Sequence, residues 1–568
     1  MLFRSDRIIG NSQVDYSFLP WLTALYRVGI DNYTEERNAF FDNNSSDTPN
    51  GYVTLSTYTF RSLNSDFLIT ADKNINENLK FTASLGHNYY TKNTYNNYQR
   101  GDSLILPNFY DISNTAVTSG GDRRTDYKIV GVFYDVKLAF KNYLFFNTTG
   151  RNDWSSTLSK GKNSFFYPSF NASFIFTDAF NINNDYFKYG KIRASWAQVG
   201  NDAPIYSLLD YYSSVSGGIN GQTSFATQRT IGNKNLKPET TKSTEVGVDL
   251  RFFKNKLGID LAYYQSKSIG QIVRVPVAFS TGYEYMLANA GVITNKGFEA
   301  QIFITPVESK DFKWDMMFNF AKNNNMVEDL PEGVPLLDFE TTGVSSTRSV
   351  AIEGQPYGVI YGTRYLRNDN GQILVGDNGY PLIDVLPGVI GDPNPDFTLG
   401  IRNSFSYKGI NFTALVDIKQ GGDVWNGTKN VMKYLGTHKD TENRDDDYIF
   451  PGINVNTGLP NTVAVKRKFA YYSATGGLAG LSEAGVEDGS YIRLREIAIS
   501  YTLPSKWMSK TPAKNLTIGL SGRNLLLFTK YSGIDPETNL SGTSNSLGRD
   551  YFNMPNTKSL EFNIQITF

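Results

Sequence analysis

The sequence has no cysteine in 568 residues. That excludes disulfides, thiolate metal sites and a cysteine nucleophile. Histidine is nearly absent too: His87 and His438 are the only two, and they lie far apart in the chain. No apolar run is long enough for a membrane-spanning helix, and the mean hydropathy is −0.35. Charge of one sign is not in excess. Lys+Arg and Asp+Glu each number 55, for a formal net charge of +0, so nothing electrostatic points to a nucleic-acid partner. The opening MLFRSDRIIGNSQVDY lacks the apolar core and small-residue cleavage site of a secretory signal. It fits either a cytoplasmic protein or a mature or truncated piece of a longer one, and the strand series below favours the second.

What is present is aromatic residue and glycine: 36 Tyr, 38 Phe and 50 Gly. The length exceeds one ordinary soluble core. The stretch from Gly391 to Asn426 sets the pattern. Phe397, Leu399 and Ile401 alternate with Thr398, Gly400 and Arg402, and after Lys408-Gly409 Phe412, Ala414, Val416 and Ile418 alternate with Thr413, Asp417 and Lys419. A period of two is the signal of a strand, and the glycine turn makes an antiparallel hairpin. One face is apolar and the other carries Arg, Asp and Lys. A core against water gives that division, and so does lipid against a wet lumen.

The same alternation recurs along the chain. Strands are expected at 21–33, 65–73, 79–90, 132–140, 144–149, 165–176, 188–198, 245–253, 257–264, 297–304 and 312–321, then at 491–502, 516–529 and 560–568. In 491–502 the apolar positions change face midway, which predicts a bulge. Residues 91–124, 201–235, 327–390 and 427–489 are polar or rich in Gly, Pro and Asp, and are expected as loops. The total is about 16–17 strands, mostly joined by alternating short turns and long loops. Membrane barrels have that asymmetry, whereas a soluble sandwich has no reason for it.

Little in the sequence is catalytic. Asp488-Gly489-Ser490 and Gly421-Gly422-Asp423 read as turns. His87 lies on a strand beside Tyr89 and Tyr90 with no second ligand near in sequence, so no metal site is expected. Arg151 and Asp153 are expected to form a structural ion pair at a strand end. Tyr206, Tyr211 and Tyr212, in a long loop, are candidate substrate-binding residues, since aromatic faces suit the apolar faces of sugar rings. Packing within the loop or at the membrane interface accounts for them equally well.

The last strand alternates Leu560, Phe562, Ile564, Ile566 and Phe568 with Glu561, Asn563, Gln565 and Thr567. A terminal aromatic on an amphipathic strand resembles the assembly signal of bacterial outer-membrane barrels. Longer segments carry a more specific resemblance: GRNDWSS (150–156), YPSFNASF (167–174), KIRASWAQVGND (191–202) and LKPETTKSTEVGVDLRFFKNKLGIDLAYY (236–264). They continue with NAGVITNKGFEA (289–300), GDPNPDFTLGIRNSFSYKG (391–409), QGGDVWN (420–426), DGSYIRLREIAISYTLP (488–504) and SGRNLLLFTKYSGIDPE (521–537). In this order they resemble the barrel portion of SusC/RagA-type TonB-dependent transporters of Bacteroidetes outer membranes.

The resemblance implies an all-β fold, a transmembrane antiparallel barrel of the TonB-dependent receptor type, with 1–568 as its C-terminal part. The family barrel has roughly 22 strands; the expectation is therefore of a piece without signal peptide, plug or first strands. It further implies import of a small nutrient, an oligosaccharide or a peptide, and no cofactor, metal or catalytic residue. The implied partners are outer-membrane lipid, a SusD-like surface lipoprotein and the TonB-ExbB-ExbD system acting through the plug region. A siderophore-type TonB-dependent receptor and a soluble all-β carbohydrate-binding protein are the alternatives.

Overall fold

The computed structural model describes residues 2–182, 184–215, 222, 224–340, 347–466, 481–509, 511–542 and 544–568. Its long strands belong to an 18-stranded sheet. In chain order they are β1 (Leu2–Leu19), β2 (Leu22–Phe41), β3 (Tyr52–Asn76), β4 (Leu79–Leu104), β5 (Thr115–Phe140), β6 (Leu144–Ser155), β7 (Ser164–Ile175) and β8 (Phe187–Asn201). They continue as β9 (Glu239–Phe252), β10 (Leu257–Pro276), β11 (Tyr285–Glu308), β12 (Phe312–Asp329), β13 (Pro395–Tyr407), β14 (Ile410–Gly421), β15 (Tyr491–Thr502), β16 (Asn515–Thr529) and β17 (Ser559–Thr567). The remaining member, Thr230–Ile231, pairs with the start of β11.

The chain divides into two compact units. One comprises Met1–Phe174, Arg193–Thr244 and Ser268–Ala290; the other comprises Ile175–Ile192, Glu245–Lys267 and Gly291–Phe568. In the first, β1 to β7 form an antiparallel up-and-down meander. In the second, β11 to β17 form another. Tight turns close one edge of each meander. At Lys141-Asn142 both residues take positive φ (48 and 58), and so do Lys408 and Gly409 (46 and 88). Two successive positive φ values match the twist of the flanking strands. The long insertions leave from the opposite edge.

Register explains the alternation. On the second meander Trp314 lies opposite Phe405, Phe405 opposite Phe412, and Phe412 opposite Ile499. Ile499 meets Leu520, and Leu520 meets Phe562. The rings stack, Trp314 on Phe405 with centroids 5.6 Å apart and Phe320 on Phe397 at the same separation. The other face carries Asp315, whose carboxylate accepts from Thr305 at 2.6 Å, and Asn319, which accepts from Gln301 at 2.9 Å. The apolar positions Phe312 to Phe320 cover about 27 Å of strand, or about 21 Å at a 40° tilt. That approaches the apolar band of a membrane barrel, about 25 Å tall.

The polar face of the first meander is a cross-strand network. Arg27 pairs with Asp66 at 2.9 Å, and Asn88 donates to Asp66 at 2.7 Å. Arg151 pairs with Asp153 at 2.7 Å and donates to Asn88 at 3.2 Å. Gly131 on β5 makes room for this: a Cβ there would collide with the Arg151 guanidinium and the Asp153 carboxylate.

Three expectations are corrected. Residues 2–19 form a strand ahead of Trp21, where the first strand was expected. Residues 91–124 are not a long loop; β4 runs on to Leu104 and β5 begins at Thr115. Both faces of that extension are polar, so the period-two signal vanishes although pairing continues. Cation–π contacts line it: Lys92 lies 5.8 Å over Phe60, Arg100 4.2 Å over Tyr52, and Arg124 4.9 Å over Tyr95. Residues 327–390 contain a small antiparallel sheet of Leu337–Glu340, Arg348–Ala351, Val359–Gly362 and Gly388–Gly391. The expected bulge is present, between Leu494 and Glu496.

Spin labels at Phe298, Ala300, Ile302, Phe312, Trp314 and Met316 should respond to an apolar quencher, and labels at Glu299 and Asp315 to an aqueous one. Met316→Arg should destabilise the protein in bilayers by about 2–4 kcal/mol, read by equilibrium unfolding in urea. Water access at both sets of labels would exclude the membrane reading.

Candidate functional site

Three insertions of the second unit, 330–394, 422–490 and 530–558, fold together at the long-loop edge. Asp423–Asn426 pairs antiparallel with Val486–Asp488 and parallel with Arg549–Asp550. Asn426 then caps the helix α1 (Gly427–Tyr434), its side chain accepting from Lys429 N at 2.9 Å. Trp425 is buried and lies parallel to Tyr551, centroids 6.4 Å apart. Arg549 is wholly buried and donates to the Thr347 carbonyl at 3.3 Å, joining the first and third insertions. Arg367 and Glu483 join the first and second with a 2.6 Å ion pair.

A charged clasp fixes the third insertion to the strands. Arg493 on β15 donates to Asp535 at 2.6 Å and pairs with Glu537 at 3.1 Å. The Arg493 and Asp535 side chains are 3% and 5% exposed. Arg495, the bulged residue, reaches Glu537 at 2.8 Å and also pairs with Asp417 of β14. The Tyr491 hydroxyl donates to Glu537 at 2.8 Å. The bulge allows Arg495 to join Arg493 on the polar face. Burial alone would raise the Asp535 carboxyl, but Arg493, the Glu537 N–H and Asn556 outweigh it and hold it below the usual range. Burial likewise opposes the charge on Glu537, and Arg495 and Tyr491 hold it low.

The sequence motifs fall in both units. Asp488-Gly489-Ser490 is a turn, with Ser490 N donating to Asp488 at 2.9 Å. Gly421 and Gly422 have φ of 74 and 82. The two turns meet where Gly421 N donates to Ser490 Oγ at 2.8 Å. Arg151 and Asp153 pair as expected, with Arg151 also donating to Tyr167 at 3.0 Å. His87 lies on β4 opposite Phe67 and Val132, on the apolar face. His438 accepts from Asp440 N at 3.1 Å in a loop turn. No group of three or more His, Cys, Asp or Glu able to hold a metal occurs among the described residues.

The candidate tyrosines belong to the first unit and do not share one environment. Leu158, Ala203 and Leu236 form a small core under their loop. Tyr206 takes φ +64, and its hydroxyl accepts from Asp126 N at 3.2 Å, tying the loop to β5. Tyr211 and Tyr212 are 51% and 72% exposed. Tyr212 opens a short strand, Tyr212–Val215, paired with Ser224–Thr227. Sequence reasoning missed the clasp, although both halves lie in the motifs singled out. The signal was the i, i+2 spacing of Arg493 with Arg495 and of Asp535 with Glu537.

Replacing Arg493 with Met leaves the buried Asp535 carboxylate without its cation and should cost about 3–5 kcal/mol, with faster proteolysis within 530–558 as a direct readout. The clasp contributes fully above the ordinary carboxyl values of 4.5 for Glu and 3.8 for Asp, and is lost as the pH falls through the lower folded-state values. Protection of 530–558 from protease should therefore persist from neutral pH to about 4.5 and decline only below it.

A family model, TonB dependent receptor-like, beta-barrel, matches residues 3–525. TonB-dependent receptor P3 of Formosa agariphila is 29% identical over 470 residues, covering 78% of this chain and 46% of that protein. TonB-dependent receptor SusC of Bacteroides thetaiotaomicron is 24% identical over 578 residues, covering 94% of this chain and 54% of its own length. The chain thus spans about half the length of these relatives. The structure of the RagAB peptide transporter superposes with a TM-score of 0.79 at 18% identity, over 100% of this chain and 62% of that one. With alternating strands, one-sided long loops and a match over most of its length, the chain belongs to the TonB-dependent receptor-like β-barrel family of the Gram-negative outer membrane.

Proposed function

We propose that the chain forms the barrel wall of a nutrient importer of the SusC/RagA type rather than an enzyme. The observation that carries this is the family match over residues 3–525. The interlocked insertions of the second unit support it, since a binding surface needs loops held rigid on a scaffold. The substrate class is an oligosaccharide or a peptide. The relatives include a SusC, and the RagAB structure is described as a peptide transporter. A SusD-like surface lipoprotein covers the outer mouth, and the TonB-ExbB-ExbD system supplies the energy.

The test is growth of a strain lacking the gene, with an oligosaccharide or a peptide mixture as the sole carbon source. Growth should fail on one class and return with the gene, and inactivating TonB should abolish it again. Unimpaired growth on both classes would overturn the proposal. Tyr211→Ala and Tyr212→Ala probe the sugar-stacking role. A stacked ring is worth about 0.5–1.5 kcal/mol, so each should weaken oligosaccharide uptake several-fold at limiting concentration. Tyr206→Phe, at a residue whose hydroxyl holds the loop, should instead loosen that loop to protease.

A further inference from the structure

Several cations on the polar face of the second unit have carboxylate partners close by. Lys313 pairs with Asp315 at 3.0 Å, Arg251 with Asp249 at 3.0 Å, and Arg523 with Glu496 at 3.2 Å. The apolar face differs at its long-loop end. Lys322 follows Phe312, Trp314, Met316, Phe318 and Phe320 on that face and lies opposite Phe298. Lys296 lies two residues before Phe298, opposite Asn324. Both lysines are exposed. Neither makes an ion pair among the described residues, though Glu328 lies within electrostatic reach of Lys296. Lys267 of β10 reaches the same place and pairs with Glu328 at 2.8 Å. Asp329 stands further out, at the end of β12 and opposite Val292.

The register brings Lys296 and Lys322 into diagonal contact range, about 7–8 Å between strands. Immediately below them Phe298 packs against Phe320, centroids 6.3 Å apart, and Phe320 stacks on Phe397. Three ammonium groups with one paired carboxylate thus stand where the apolar band ends on the outward side. Long lysine stems lie along apolar surface and keep their charge at the polar boundary. At that height the neighbouring molecules are the headgroups of the outer leaflet.

We propose that Lys267, Lys296 and Lys322 form a seat for the phosphate of an outer-leaflet glycolipid, whose acyl chains lie on the Phe298–Phe320 face. A protein partner fits less well, because the surface directly below the lysines is the band that faces lipid. The inference rests on the membrane placement of this face and not on the transport reading.

The test uses the full-length transporter in mild detergent and native mass spectrometry with added bis-phosphorylated lipid A. The wild type should retain the glycolipid, and the K267Q/K296Q/K322Q variant should retain at least fivefold less. The dephosphorylated glycolipid should bind both proteins equally weakly. K313Q, which removes a lysine from the opposite face of β12, should behave as wild type. If the triple variant fails to fold, K296Q and K322Q singly should each give part of the loss. Equal retention by wild type and variants would overturn the proposal, as would indifference to the phosphate. Displacement of the glycolipid by millimolar inorganic phosphate would also overturn it, by showing a site for the free ion.

Discussion

Hydrocarbon offers no hydrogen bonds, so every backbone N–H and C=O that enters it must find a partner within the protein. The pairing of β1 to β7 and of β11 to β17 meets that demand, one ladder at a time. Side chains are then sorted by face. The Trp314, Phe405 and Phe412 row meets lipid, while Asp315, Ser404 and Thr413 point the other way. Glycine enters where a large neighbour needs the space. Gly131 receives Arg151 and Asp153, and Gly297 leaves room for the ring of Tyr264.

Outside the membrane the governing force changes. The insertions of the second unit hold together through buried ion pairs and hydrogen bonds as well as apolar packing. Arg549 and Arg493 are each almost fully buried, and each bridges segments far apart in sequence. Such pairs add little net stability compared with apolar contacts, yet are expensive to break one side at a time. They fix which loop meets which strand. An arrangement built from three separate insertions depends on that specificity.

How much the sequence disclosed follows from the same physics. Where two environments differ, as along 312–320 or 560–568, alternation located the strands well. The bulge at Leu494–Glu496 showed because the apolar positions changed face. Where water bathes both faces, as along 91–104 and 115–128, strand and loop compositions converge, and pairing became visible only in the structure. Residues 2–19 were missed for a related reason: Arg4, Asp6, Arg7 and Asp15 interrupt the apolar positions. The clasp joins residues 42 positions apart, a separation that no local pattern encodes. The aromatic residues singled out in the loop at 201–235 proved to hold different places, one tied by its hydroxyl and two projecting outward.

The extension of β3, β4 and β5 has a consequence for the cell surface. A strand needs about 9–11 residues to cross the hydrocarbon, and β4 has 26. At about 3.3 Å per residue and a tilt near 40°, the excess carries the hairpin tip roughly 38–43 Å past the bilayer. There it stands among or above the sugars of neighbouring glycolipids. An antibody or a bacteriophage arriving from outside meets this tip together with the β2–β3 turn beside it. Variation between strains under immune or viral selection should therefore concentrate in 91–124 and spare the alternating segments beneath.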